Sequence, residues 1–227
     1  ASSSLAEGTK NMKKFHFVYD KTKKSENLKK ILSKKYKNTN PKKADFIIVA
    51  GGDGFMLNIL KKYYNLKKPF YGINCGTIGF LMNKFSSSNL ENRIKKTKVF
   101  NINPIEAKIV TAGKKRINTI AVNEISLLRQ SRQTAILKLN INKKNLIKKL
   151  ISDGVIVSTP AGSTAYNLSV SGPILSLNSG KLAITPISPF RPRRWKGKVI
   201  SSSSIIKIRN LNVQKRSVSA VADNVEV

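Results

Sequence analysis

The sequence predicts a two-part fold. A small N-terminal parallel α/β domain covers residues 12–98, and a mostly β domain covers residues 99–227. Three observations carry this. Short apolar strands alternate with amphipathic helical stretches up to Lys98. Two of those strands run into glycine-punctuated turns, at residues 51–54 and 74–79. Beyond Lys98 helical periodicity largely stops, and period-two alternation replaces it, with Leu137, Leu139 and Ile141 set against Lys138, Asn140 and Asn142.

The elements follow in order. Residues 1–11, ASSSLAEGTKN, contain no apolar stretch of the secretory kind and are set aside as a leader ahead of Met12. Residues 15–19 read as a strand. Ser25 is expected to cap a helix that carries Leu28, Ile31 and Leu32 on one face. Residues 45–50 form a second strand, apolar enough to be buried on both sides. The turn Gly51-Gly52-Asp53-Gly54 follows, and then a helix to Tyr64 with Met56, Leu57, Leu60 and Tyr64 at helical spacing. Residues 69–73 form the third strand. Ser88 or Asn89 opens a short helix with Leu90 and Ile94. This βαβ order implies a parallel sheet, whose ligands sit at the carboxyl ends of the strands. In the second half residues 134–142 form a strand with Lys143-Lys144-Asn145 as its turn, and Ile206 and Ile208 mark another. The sequence stops at Val227 in what reads as mid-strand, so a further C-terminal segment is expected.

Composition narrows the function classes. A chain of 227 residues can bury a good core. No run of about twenty apolar residues suggests a membrane span. The single cysteine, Cys75, excludes an internal disulfide framework or a cysteine zinc site and is compatible with a reducing cytoplasm. The only histidine, His16, lies in the first strand, which argues against Cys/His or Ser/His nucleophilic catalysis. The formal charge is +32. Such a charge suits a polyanionic partner, nucleic acid or a membrane surface. Lysine pairs are nevertheless scattered through every element, and the Lys, Asn and Ile richness reads as compositional drift. The one local cluster is Arg191-Pro192-Arg193-Arg194-Trp195-Lys196. No specific nucleic-acid or membrane partner is therefore expected.

Three stretches carry chemistry. In the first, glycines let a ligand approach the backbone, and the following helix N-terminus attracts anions. Asp53 there reads either as a carboxylate that holds a metal or takes a proton, or as a helix cap. In the second, Asn123-Glu124 interrupts an apolar run. The pair can grip hydroxyls, or it marks an exposed turn or bulge. The third runs from Asp153-Gly154 through Ser158-Thr159-Pro160-Ala161-Gly162-Ser163-Thr164-Ala165-Tyr166-Asn167. It reads as a strand entering a hydroxyl-rich loop that admits a flat ligand, with Tyr166 offering a ring and a hydroxyl, or as a plain Ser/Gly loop. P-loop, dinucleotide-fingerprint and protein-kinase motifs are absent.

Together these stretches resemble the NAD kinase family, in its short bacterial form. Gly51-Gly52-Asp53-Gly54 matches the family's GGDG, and Asn123-Glu124 its N-[DE] pair. Residues 153–166 match its DG…TPxGSTAY signature, and residues 187–195, ISPFRPRRW, look like the short bacterial version. The order and spacing match over nearly all of residues 12–227. GGDG alone is shared with lipid kinases and phosphofructokinases, so a related kinase acting on a lipid or other alcohol is the alternative reading. A non-catalytic basic nucleic-acid-binding protein is the next. The resemblance implies an α/β domain followed by a β domain, and phosphorylation of the adenosine ribose 2′-hydroxyl of NAD by ATP, or in some members polyphosphate, with Mg²⁺ or another divalent metal. It implies Asp53 as the catalytic group and Gly51 and Gly52 as phosphate binders. It implies Gly54, Asn123, Glu124, Asp153, Ala161, Thr164, Ala165, Tyr166, Asn167 and Ser169 as the NAD site. A cytoplasmic homodimer or homotetramer is implied as well. Few residues separate Met12 from the glycine turn, so a helix and strand of longer members are expected to be missing.

Overall fold

The computed structural model describes residues 13–77 and 79–227. The described backbone separates into two compact units that divide between Lys98 and Val99. The expected class, a parallel α/β unit followed by a β unit, is what is observed.

In the first unit β1 (Phe15–Tyr19), β2 (Phe46–Gly51) and β3 (Phe70–Asn74) form a parallel sheet in the order β1-β2-β3. Parallel pairing needs crossovers, and α1 (Lys23–Ser33) and α2 (Asp53–Tyr63) supply them. Central β2 is apolar on both faces because both are covered. Ile48 and Ala50 pack with Phe15, Phe17, Leu28 and Leu32. Ile47 and Val49 pack with Met56 and Ile59. A short helix, α3 (Leu90–Lys95), starts at Asn89, whose side chain accepts from Asn92 N–H.

Two expectations about helix ends are corrected. The cap of α1 is Thr22, whose hydroxyl accepts from Ser25 N–H. Ser25 sits one turn in and is fully buried, and its Oγ donates to Ala50 O at 3.0 Å, tying the helix to the end of β2. Ile31 is exposed rather than facing the sheet. At the other end, α2 closes at Tyr63, and Tyr64 opens a 3₁₀ turn and is exposed.

The second unit is built from three further groups of strands. The hairpin of β4 (Ile105–Val110) and β5 (Arg116–Ala121) comes first. A six-stranded sheet contains β6 (Glu124–Arg129), β9 (Gly154–Ser158), β10 (Lys181–Ile187), β11 (Lys198–Ser201), β13 (Val218–Ala222) and β14 (Val225–Glu226), in the order β11-β10-β9-β6-β13-β14. A three-stranded sheet contains β7 (Ala135–Ile141), β8 (Lys144–Ser152) and β12 (Ile206–Asn210). The core lies between these two sheets, where Ala135, Leu137, Leu139 and Leu150 meet Val155, Val157, Leu182 and Ile184. The period-two alternation of β7 is the signature of that one-sided burial. The β7–β8 turn is corrected to Asn142-Lys143. Both residues have positive φ, 47° and 67°, the twist a two-residue hairpin loop needs, while Lys144 and Asn145 already pair in the ladder. The basic cluster is partly accounted for by Arg191 and Arg193, whose guanidinium groups lie over the Phe190 ring. No helix among the described residues is long and apolar enough to cross a membrane.

Candidate functional site

The glycine turn lies at the carboxyl end of the central strand of the first unit. Gly51 is the last residue of β2, and extended Gly52 is the N-cap of α2. The first helical bond is Met56 N–H to Gly52 O at 3.0 Å, so the N–H groups of Asp53, Gly54 and Phe55 precede any intrahelical bond. The three glycines differ. A Cβ on Gly51 would lie 2.6 Å from the Phe55 ring and 3.0 Å from an Asp20 carboxylate oxygen, so Gly51 is required by packing. A Cβ on Gly52 or Gly54 would meet nothing, and the space over their backbone is open.

Asp53 does not cap the helix with its side chain. Its carboxylate reaches the loop after β3, accepting from Phe80 N–H at 2.7 Å and Leu81 N–H at 3.1 Å. The group is held from two sides, and each oxygen keeps a lone pair for a proton or a cation. Cys75 N–H bonds Gly51 O at 2.8 Å, which fastens the same loop to the turn. Burial pushes the Cys75 thiol up, which keeps it unreactive, and His16 is occupied with Thr39 O and Tyr63 Oη.

In the second unit Asn123 bridges β5 and β6, and Glu124 opens β6. The hydroxyl-rich loop is locked onto this turn. Thr159 N–H donates to Asn123 O at 2.8 Å, and Thr159 Oγ1 donates to Val122 O at 2.7 Å. Thr159 Oγ1 in turn accepts from Gly162 N–H at 3.0 Å. A Cβ on Gly162 would stand 2.2 Å from Asn123 O, so only glycine lets these two backbones touch.

That frame leaves two oxygens unused. Asn123 Oδ1 and Glu124 Oε2 are buried and have no hydrogen-bond partner. Buried polar atoms are nearly always satisfied, and these two consecutive residues are exceptions. Burial pushes the Glu124 carboxyl up to about 7, and the nearby Asp223 charge adds to the effect.

Asp153 and Tyr166 line an open cleft of about 510 Å³ together with Arg129, Arg132 and Ile187. Asp153 is paired there with Arg129, whose Nε lies 2.5 Å from Asp153 Oδ1. Tyr166 is 38% exposed, so its ring is available to a partner.

Two profiles cover most of the chain. The one described as ATP-NAD kinase N-terminal domain matches residues 3–97, and the one described as ATP-NAD kinase C-terminal domain matches residues 122–226. The chain belongs to the NAD kinase family. The NAD kinase of Brucella suis biovar 1 is 45% identical over 212 residues, 93% of this chain and 82% of that protein. That of Zymomonas mobilis subsp. mobilis is 48% identical over 200 residues, 86% and 77% of the two chains. Among solved structures, an NAD kinase from Archaeoglobus fulgidus in complex with ATP superposes with a TM-score of 0.72 at 27% identity, covering 94% of this chain and 86% of that one. Yeast NADH kinase complexed with NADH gives 0.70 at 26% identity, covering 84% of this chain and 58% of that one.

The NAD kinase signature is thus spread over three distinct settings. Asn123 and Glu124 are brought together with residues 159–162, and Asp153 with Tyr166. Ala161 lines a partly open pocket of about 40 Å³ with Thr159, Leu177 and Leu182. Thr164 closes the 3₁₀ turn Ala161–Thr164, and Ala165 links it to the four-residue α4 (Tyr166–Ser169), in which Ser169 is exposed. Asn167, expected in the NAD site, is held inside the protein. It is fully buried, donates to Ser163 O and Pro173 O, and accepts from Thr185 Oγ1 at 2.7 Å. Gly51 is likewise a packing residue first. Sequence reasoning missed Arg129 and Asp223. Nothing in their local pattern distinguishes them from other turn and strand charges, because their partners lie 24 and about 100 residues away.

Proposed function

We propose that this chain phosphorylates NAD to NADP, with ATP as phosphoryl donor. The observation that carries the reading is the neighbouring pair of unpartnered buried oxygens, Asn123 Oδ1 and Glu124 Oε2. Two adjacent acceptors suit the vicinal hydroxyls of a ribose, and a lipid alcohol would leave one of them orphaned.

Asp53 takes the proton of the 2′-hydroxyl, and the freed oxygen attacks the terminal phosphorus of ATP. The bond to the bridging oxygen breaks, ADP leaves, and the proton passes from Asp53 to water. The Phe80 and Leu81 N–H groups hold the carboxylate in one orientation throughout. Open space over Gly52 and Gly54 lets phosphate oxygens approach the first-turn N–H groups of α2, where the helix dipole favours negative charge. Among the described residues no three of His, Cys, Asp and Glu form a metal cluster. Asp53, whose oxygens each keep a lone pair, is the carboxylate of the glycine turn that would help hold a Mg²⁺ beside the nucleotide phosphates. When bound, that ion offsets negative charge on the transferring group. The working form is taken to be a cytoplasmic homodimer or homotetramer, which light scattering of the purified protein reads directly.

The test is a coupled assay for NADP with NAD, Mg²⁺ and, in parallel, ATP or polyphosphate. NADP should form with ATP. Asp53→Asn should lower kcat by at least about a hundredfold while NAD affinity is largely kept. Equal turnover by parent and variant would remove Asp53 from the chemistry.

A further inference from the structure

Asp223 follows β13 at the turn into β14, with φ at 56°, a left-handed position that Asp tolerates better than most residues. Its carboxylate reaches back about a hundred residues in sequence. It accepts from Asn123 N–H at 2.7 Å, Val122 N–H at 3.1 Å and Glu124 N–H at 3.3 Å. Asp223 N–H in turn donates to Glu124 O at 3.0 Å, which closes the turn from the other side. Val122, Asn123 and Glu124 are therefore fixed by one side chain, and the last two carry the unpartnered oxygens.

We propose that Asp223 is a positioning residue for the sugar grip: its carboxylate, by gathering three consecutive backbone N–H groups, sets the direction in which Asn123 and Glu124 present their free oxygens to the ribose. The inference rests on the reading of those two residues as the ribose site. The physical reason is preorganisation. A turn between β5 and β6 without this clamp has several conformations, and substrate would have to select one of them. The arrangement also places a carboxylate beside Glu124, which is the charged group acting on that side chain. Asp223 thus sets both the geometry and the charge state of the grip, without touching the substrate.

The test is Asp223→Asn. The amide keeps the shape and one acceptor oxygen, and loses the second acceptor and the charge. The expected result is a rise of roughly tenfold in KM for NAD with kcat and KM for ATP within about twofold of the parent. The pH dependence of KM for NAD supplies the second reading. Its midpoint near 7 in the parent should move to lower pH in the variant, because the like charge next to Glu124 is gone. A purely structural role would lower the active fraction, and hence kcat, at unchanged KM and unchanged midpoint, and that outcome overturns the proposal. Thermal melting of Asp223→Asn with and without saturating NADP supplies a third reading. A variant that melts like the parent but gains less from NADP supports positioning, and an equal gain contradicts it. If the parent itself makes no NADP, the function has failed and not this inference; if the parent is active and the variant's KM and midpoint are unchanged, this inference alone has failed.

Discussion

Replacing Glu124 by Gln should stabilise the protein while weakening NAD binding, and the stability gain should depend on pH. The Glu124 carboxyl is 6% exposed, and one of its oxygens has no partner. Burial first, and the Asp223 charge second, push it from 4.5 up to about 7. A raised carboxyl means that the folded state binds its proton more tightly than the unfolded state. The stability linked to this group is therefore fully present below pH 4.5 and is lost as pH rises through about 7. At about 1.4 kcal/mol per pH unit, the ionised carboxylate costs the fold on the order of 3 kcal/mol at pH 8, as an upper figure. Glutamine has nearly the same shape and never ionises. Its amide brings new hydrogen-bonding needs, but these are the same at every pH and cancel when the gain at pH 5 is subtracted from the gain at pH 8. Part of this cost is already present at pH 5, so the difference between the two pH values is about 2.5 kcal/mol, which for a chain of this length corresponds to roughly 5–10 °C in Tm. Calorimetry or fluorescence melting at the two pH values measures it, and KM for NAD in the same variant should rise at least about tenfold. A variant whose change in Tm relative to the parent is the same at pH 8 as at pH 5 would refute the assignment of Glu124 as a buried, strained carboxyl kept for a ligand.

Two further substitutions separate framework from contact. Gly162→Ala puts a Cβ 2.2 Å from Asn123 O and must spread the two loops, so NAD affinity should fall by about tenfold or more, with a lower Tm; a variant with unchanged KM would show that this contact does not shape the site. Asn167→Ala leaves Thr185 Oγ1 and two carbonyls unsatisfied inside the protein, and chemical denaturation should show a loss of about 2–4 kcal/mol. Unchanged stability with a raised KM for NAD would instead return Asn167 to the ligand-contacting role that its place in the motif suggests.

Much of the fold was legible because its signals are local. Alternation in β7, the glycine turn after β2 and the helical spacing of Met56 and Leu57 each depend on residues a few positions apart. Errors fell where a choice among near-equivalent neighbours depends on packing. Thr22 and Ser25 are both good caps, and only the proximity of Ala50 O assigns Ser25 to the interior. The hairpin turn moved by one residue because the φ values of Asn142 and Lys143, not composition, fix its register.

The sequence by itself determined the family and the types of chemical group present: a carboxylate in a glycine turn, an amide-acid pair and a hydroxyl-rich loop. The tertiary structure decided how each is used. It placed the Asp53 carboxylate on Phe80 and Leu81 N–H, left Asn123 Oδ1 and Glu124 Oε2 without partners, and buried Asn167 against Thr185 Oγ1. It also brought Asp223 to Asn123 and Arg129 to Asp153. The reason is that burial and hydrogen bonding are set by which strands become neighbours, and in the order β9-β6-β13 those neighbours are drawn from segments far apart in the chain.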